Sequence, residues 1–144
     1  MDIRKATQKD VEELNDVNKK YFGEHRDYND EVKSKDNLIF IMKDKNKIIG
    51  ISGLRINNWN NTGWVFNIFV RPDSRKNGLG SILIQRVIKE AKKNNLRCLL
   101  AEAPSKGNAS FLFKKMGFRK CGYNDRYYSN DLDEIAEFYS LDLI

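Results

Sequence analysis

The sequence predicts one α/β domain in which a mixed β-sheet carries helices on both faces. The chain has 144 residues, the length of an ordinary single domain. Hydrophobic residues make up 40% of it, which is enough for a packed core. Apolar residues alternate between strand and helix periods in the order βα(α)βββαβαββ, and a strand–helix–strand step without a hairpin indicates a parallel pair of strands.

The first half of the chain predicts a strand, one or two helices and three further strands. Residues 2–6 form the first strand, and Thr7 with Asp10 resembles a capping arrangement for the next helix. Apolar residues at helical spacing mark that helix: Val11, Leu14, Val17 and Tyr21. The polar stretch 23–37 is ambiguous and allows a short second helix. Three strands joined by turns follow, over Leu38–Met42, Ile48–Ile56 and Trp64–Val70.

The second half predicts two helices that alternate with three strands. Pro72 ends the preceding strand, and a loop runs from there to Gly80. The next helix has a broad apolar stripe that includes Leu79, Leu83, Val87 and Ala91. A dense apolar strand over Leu96–Ala103 precedes a second helix, which Gly117 closes in the C′ position. The last two predicted strands are Phe118–Tyr123 and Ile135–Leu143.

The charge is unevenly distributed, which suggests an anionic partner. The formal net charge is +6, while residues 71–97 alone carry +6 and residues 124–144 carry −5. Nucleic acid, a membrane surface and a phosphorylated cofactor all fit a basic segment. The basic residues of the helix after Gly80 lie off its apolar stripe, without a recognition motif, so we expect no nucleic-acid partner. The apolar runs are too short to span a bilayer, and we expect no membrane partner.

The cysteine and histidine content predicts neither a disulfide framework nor a metal site. Cys98 and Cys121 are the two cysteines, and no apolar stretch follows Met1, so we expect reduced thiols in a cytoplasmic protein. The single histidine, His25, lies in a polar stretch and is predicted to be solvated. These residues have no zinc-ligand spacing, so we expect no metal.

The segment from Arg75 to Gly80 is a candidate phosphate site. It lies between the end of a strand and the start of a helix, where backbone N–H groups lack intrahelical partners and the helix dipole is positive. Glycines at 78 and 80 allow close approach of an anion, and Arg75 and Lys76 add positive charge. It is neither a Walker loop nor a dinucleotide fingerprint, because no Gly-Lys-Ser/Thr follows and Leu83 stands where a third glycine would be. A plain turn with solvated charge fits the residues as well.

Two motifs resemble those of the GNAT family of N-acetyltransferases. The first is Phe66-Asn67-Ile68-Phe69-Val70-Arg71-Pro72-Asp73, followed by Arg75-x-x-Gly78-Leu79-Gly80. The second is Phe113-Lys114-Lys115-Met116-Gly117-Phe118. The resemblance implies a twisted, mostly antiparallel sheet of about seven strands whose parallel fourth and fifth strands splay apart. It also implies acetyl transfer from acetyl-CoA to a primary amine, by direct attack in a ternary complex.

The resemblance also implies which residues hold the cofactor. The pantetheine arm would lie between the splayed strands and the pyrophosphate on the loop after the fourth strand. The implied cofactor-binding residues are Ile68, Phe69, Val70, Arg75, Lys76, Asn77, Gly78, Leu79, Gly80, Ser81, Asn108 and Phe113. Partners for the 3′-phosphate end would come from Arg71, Lys106, Lys114 and Lys115.

The proton-transfer residues of the family are replaced in this chain. Phe113 occupies the position where many family members have the tyrosine that serves as the acid. Lys106 occupies the position where many have an asparagine. The fourth strand lacks the usual glutamate, so the nearest candidate base is Glu102, whose orientation the sequence leaves open. Tyr127 and Tyr128 belong to a segment resembling that of protein N-terminal acetyltransferases, and they could hold a substrate backbone or supply an acid.

These replacements keep two readings open. The chain is either an acetyl-CoA-dependent N-acetyltransferase or a coenzyme A-binding module without catalysis. For the enzyme, the tyrosine segment slightly favours a protein or peptide N-terminus as the acceptor over a small amine or an aminoglycoside. A homodimer is compatible with the resemblance, although no residue pattern identifies an interface.

Overall fold

A seven-stranded mixed sheet organises the fold. The computed structural model describes residues 2–23, 26–131 and 133–144, so the prediction for His25 lies outside the described residues. The strands are β1 (Asp2–Lys5), β2 (Asn37–Asp44), β3 (Lys47–Asn57), β4 (Thr62–Val70), β5 (Cys98–Pro104), β6 (Arg119–Asn124) and β7 (Ala136–Asp142). Their spatial order is β1-β2-β3-β4-β5-β7-β6. Each neighbouring pair is antiparallel except β4 with β5, which is parallel as predicted.

Helices cover both faces of this sheet. They are α1 (Val11–Phe22), α2 (Asn29–Lys33), α3 (Leu79–Lys93) and α4 (Ala109–Lys115). On one face, Leu14 of α1 packs with Ile39 and Ile41 of β2. On the other face, Phe40 packs with residues of α3 and α4, among them Phe113. Because neighbouring β2 residues point to opposite faces, these contacts confirm the predicted helix–sheet–helix layers.

The predicted elements all form, and the ends of the strands shift by at most two residues. The clearest shift is at the start of the apolar fifth strand. Leu96 donates its backbone N–H to Ala91 at 3.0 Å, and Arg97 donates to Asn61 at 3.0 Å, so both residues belong to the turn and β5 begins at Cys98. In the described part of the chain, no helix combines the length and apolar character needed to cross a bilayer.

β4 and β5 diverge soon after they begin. Their ladder pairs Thr62–Trp64 with Cys98–Leu100 and goes no further. β4 also contains a bulge, because Phe66 pairs with Gly53 and Phe69 with Ile51, which leaves two β4 residues opposite one β3 residue. Within the bulge, Asn67 has a φ of 54°, a left-handed conformation that asparagine tolerates. The bulge and the short ladder open a gap between the carboxyl ends of the two strands.

The capping arrangement predicted at Thr7 and Asp10 is present. The Asp10 carboxylate accepts hydrogen bonds from the Thr7 backbone N–H at 2.8 Å and from the Arg4 guanidinium at 2.8 Å. Asp10 is 3% exposed. The Arg4 hydrogen bond is the main reason why the pKa of this carboxyl falls to about 2. The cap therefore also anchors β1 to the start of α1.

We expect Asp10→Asn to lower the free energy of unfolding by about 1–2 kcal/mol at pH 7. Because the folded-state pKa lies below the unfolded one, Asp10 contributes fully above about pH 4 and loses this contribution as the pH falls towards 2. Urea unfolding at pH 7 and pH 2.5 measures this, with the exposed Asp16→Asn as the control. Equal stability of Asp10→Asn and wild type at pH 7 would refute the assignment.

Candidate functional site

A cleft of about 840 Å³ opens where β4 and β5 diverge. Its walls come from β3, β4, the end of β5, α1, α4 and the loop after β6. The lining residues are Asn18, Phe22, Arg26, Arg55, Asn57, Trp64, Val65, Phe66, Asn67, Ile68, Glu102, Pro104, Ala109, Phe113 and Tyr127. The N-terminal ends of α3 and α4 follow β4 and β5, so both lie at the edge of the sheet where the gap opens.

Glu102 faces this cleft. On β5 it alternates with Ala101 and Ala103, which are fully buried against the α3 and α4 face, so its side chain points to the opposite face. The Tyr128 hydroxyl donates a hydrogen bond of 2.8 Å to Glu102 Oε1. The Tyr127 ring stacks on that of Tyr128, with centroids 5.3 Å apart and planes 7° apart. The structure thus brings the three candidate catalytic residues into one cluster.

The environment keeps both tyrosines protonated. Burial, and then the hydrogen bond to Glu102, raises the pKa of Tyr128. The negative charge of Glu102 is the main reason why the pKa of Tyr127 is raised. Both hydroxyls are therefore poor sources of a proton for a thiolate, whose conjugate acid has a pKa of roughly 8.5. In this arrangement the Tyr128 hydroxyl is a hydrogen-bond donor that orients the Glu102 carboxylate.

The backbone of the loop before α3 has a conformation suited to binding an anion. Lys76 has a φ of 68° and Gly78 a φ of 75°, and the α3 helix begins at Leu79 without a side-chain cap. Its first N–H groups therefore lack partners from within the helix. Arg75 is fixed beside them, because its Nε donates to the Val70 carbonyl at 2.8 Å.

The two glycines of this loop have different surroundings. A Cβ at Gly78 would meet nothing within 4 Å, so a side chain there would extend into open space above the loop. A Cβ at Gly80 would lie 3.0 Å from Leu112 Cδ2. Gly80 therefore permits close packing of α3 on α4, whereas Gly78 keeps the loop accessible to a ligand.

The remaining predicted cofactor residues divide into backbone and side-chain candidates. Phe69 packs its ring against Tyr21 at 5.1 Å, and Leu79 is buried with Leu83, so only their backbone groups can face a ligand. Phe113 is buried yet lines the cleft. Asn108 stands at the N-cap of α4 without a side-chain capping bond.

Two of the four basic residues that could bind the 3′-phosphate of coenzyme A already pair with carboxylates. Arg71 pairs with Asp73 at 2.6 Å, and Lys106 pairs with Asp133 at 2.6 Å. Lys114 and Lys115 are exposed on α4. Among the described residues, no group of three or more histidine, cysteine, aspartate or glutamate side chains is placed to hold a metal ion.

The sequence alone missed an arginine cluster in the cleft. Arg55 and Arg26 both line it, and both lie near the half-buried Glu31, at 3.9 Å and 3.6 Å. Arg26 also donates to Asn67 Oδ1 at 2.8 Å, which ties it to the β4 bulge. One signal was available, because Arg55 is the only charged residue in the largely apolar Ile48–Ile56 strand. Arg26 comes from the ambiguous polar stretch and carried no such signal.

Comparison with known proteins gives a family match over most of the chain. The model of the acetyltransferase (GNAT) family matches residues 5–118. A curated relative, the [ribosomal protein bS18]-alanine N-acetyltransferase of Haemophilus influenzae, is 30% identical over 64 residues. That alignment spans 44% of this chain and 44% of the relative, less than half the length of either.

Solved structures share the architecture. A protein described as a streptothricin acetyltransferase from Bacillus anthracis (strain Ames), in complex with acetyl coenzyme A, is 29% identical with a TM-score of 0.72. The match covers 85% of this chain and 71% of that one. The ribosomal-protein-S18-alanine N-acetyltransferase from Escherichia coli is 20% identical, with a TM-score of 0.83 and coverage of 99% and 93%. At that identity the second likeness concerns the fold alone.

Proposed function

We propose, since this chain belongs to the acetyltransferase (GNAT) family and is therefore an acetyl-CoA-dependent N-acetyltransferase, that its acceptor is the N-terminal amine of a peptide or protein. The observation that carries the proposal is the Glu102–Tyr128 pair, with Tyr127 stacked beside it, at the cleft. A carboxylate there can receive a proton from the amine, and the tyrosines can hold the first residues of a chain. The family assignment favours the enzyme over the non-catalytic module.

The residues present fit acetyl-CoA in two places. The loop Arg75–Ser81 offers backbone N–H groups, left-handed positions at Lys76 and Gly78, and two cations, which suits a pyrophosphate. The edge of β4 beyond Trp64 has no β5 ladder partner, which suits the amide groups of a pantetheine arm near Ile68 and Val70. Phe113 lies beside that gap and supplies an apolar wall. Asn108, at the start of α4, is the remaining polar candidate.

Glu102 is the proposed general base. Acetyl-CoA supplies an activated thioester carbonyl, the amine nitrogen forms the new bond to its carbon, and the C–S bond breaks to release the thiolate. Glu102 accepts the proton that the nitrogen loses, either directly or through a water molecule. Tyr128, through its hydrogen bond to Oε1, is a positioning residue that holds the carboxylate towards the acceptor. Because the tyrosines retain their protons, the thiolate takes its proton from solvent.

Peptide N-termini match this modest proton-transfer machinery. An α-amino group has a pKa of roughly 7.7–8.0, so about a tenth of it is already neutral at pH 7. A lysine side chain has a pKa of roughly 10.4, so its deprotonation at pH 7 costs about 4.6 kcal/mol. A single glutamate base without a dedicated acid is sufficient for an α-amino group and less effective for a lysine side chain. The acidic residues around the tyrosine loop, among them Asp131 and Glu134, favour approach of a cationic amine.

The proposal predicts that peptides with a free N-terminus have the highest kcat/KM in an acceptor panel. Thiol release from acetyl-CoA would be followed with an alanine-initiated peptide, its N-terminally blocked lysine-containing twin, spermidine and an aminoglycoside. We expect the free peptide to exceed its blocked twin by at least about tenfold, because only the free peptide offers an amine of low pKa. Mass spectrometry would place the acetyl group on the α-nitrogen. Turnover of spermidine or the aminoglycoside, with none of the peptide, would contradict the proposal.

A further inference from the structure

The cleft is electrically polarised from one wall to the other. Glu102 lies on β5, whereas Arg26 and Arg55 lie at the opposite wall, towards α1 and α2. Glu31 lies 3.6 Å from Arg26 and 3.9 Å from Arg55, so it pairs with both arginines of this wall. An acceptor with several positive charges is poorly matched to that arrangement, whereas one with an amine and a carboxylate is well matched.

Arg55 is held in place by packing more than by its ion pair. Its guanidinium lies over the Phe66 ring, 4.7 Å from the centroid, and this aromatic contact orients the group in the cleft. The separation from Glu31, 3.9 Å, is too long for a hydrogen bond, and Glu31 Oε2 is buried without a hydrogen-bond partner among the described residues. The Arg55 side chain is 45% exposed. A planar, oriented and loosely paired guanidinium is suited to bidentate recognition of a carboxylate.

The strand register sets the distance between the two charged walls. Arg55 pairs with Trp64 across β3 and β4, and Trp64 pairs with Leu100 across β4 and β5. Arg55 and Leu100 are therefore two strands apart, about 10 Å between Cα atoms, and Glu102 lies two residues beyond on the same face. An extended peptide advances about 3.3 Å per residue. A single amino acid is too short to reach both walls, while an acidic side chain at the second or third residue of a peptide is long enough.

We propose that Arg55 binds an acidic side chain at the second or third position of the acceptor peptide. This inference rests on the proposed peptide N-acetyltransferase function and adds the sequence class of the acceptor. Arg26, tied to Asn67 of the bulge, contributes positive charge on the same wall. Trp64 lies between the two charged walls in the cleft and provides an apolar surface for the intervening backbone.

The experiment uses amidated hexapeptides that start with alanine and differ at a single position. One series has glutamate at position 2, 3 or 6, and its matched series has glutamine at the same positions. Binding to the coenzyme A-loaded protein would be measured by calorimetry, and kcat/KM by thiol release. We expect glutamate at position 2 or 3 to improve both by about five- to tenfold over glutamine, and glutamate at position 6 to have no effect.

Arg55→Gln should remove that preference, bringing the glutamate-to-glutamine ratio to about one. Arg119→Gln, which removes the same charge from the exposed strand β6, should retain the preference. Equal binding of both series to wild type, or a preference that survives in Arg55→Gln, would overturn the inference. Acetylation of all peptides without a glutamate preference would leave the peptide N-acetyltransferase proposal intact, whereas turnover of small amines alone would overturn both.

Discussion

Glu102→Gln is expected to lower kcat/KM for a peptide acceptor by about 10²–10⁴-fold, the range typical of a lost general base. Glutamine keeps the size of the side chain and can still accept the hydrogen bond from Tyr128, so the change removes proton acceptance and little else. Initial rates of thiol release over a range of pH would measure the loss. The residual activity should increase with pH, because the fraction of amine that is already neutral increases.

Two measurements separate the loss of a base from a loss of structure. The acetyl-CoA dissociation constant and the unfolding midpoint of Glu102→Gln should both match the wild type, because Glu102 is not among the residues proposed to hold acetyl-CoA. Tyr128→Phe retains the carboxylate and removes the hydrogen bond to it. We expect a smaller loss of kcat/KM, about threefold to tenfold, because that bond holds the carboxylate towards the acceptor. Full activity in Glu102→Gln would show that the base lies elsewhere.

The strands of the sheet could be predicted because each one depends on residues that are close together in the sequence. Each strand and helix has its own apolar period, and the crossover between β4 and β5 follows from the helix that separates them. The predicted ends were less accurate, as at Leu96 and Arg97, which donate their backbone N–H groups to Ala91 of α3 and to Asn61. The bulge at Asn67 could not be predicted, because an asparagine within a strand pattern has several allowed conformations.

The candidate site was likewise predictable only in part. Glu102 was identifiable as the nearest carboxylate, but its orientation depended on which neighbours are buried, and the fully buried Ala101 and Ala103 answer that. Arg26 and Arg55 are 29 positions apart in the sequence, and only folding brings both to one wall of the cleft. Long-range pairs of this kind leave no local pattern. The sequence therefore identified Glu102, Tyr127 and Tyr128 as candidates, while the arginine wall opposite them needed the structure.

Gly78→Glu is expected to weaken acetyl-CoA binding by about a hundredfold or more. The position has a φ of 75°, so any side chain costs about 1 kcal/mol of backbone strain. Its Cβ would point into open space beside the N–H groups of α3, where a carboxylate would occupy the proposed pyrophosphate position and repel it. Two unit charges 4 Å apart at an effective dielectric constant of 20 interact by about 4 kcal/mol, which is enough for this loss. Calorimetry with acetyl-CoA measures it.

Matched variants separate the charge from the strain. Gly78→Ala carries the strain alone and should weaken binding by about fivefold at most, because the open space leaves the cradle accessible. Gly122→Glu adds the same charge on β6, where a Cβ meets nothing within 4 Å, and should leave the dissociation constant unchanged. Gly80→Glu should instead lower thermal stability, because its side chain would displace Leu112 and separate α3 from α4. A dissociation constant for Gly78→Glu within threefold of the wild type would mean that the pyrophosphate does not lie on this loop.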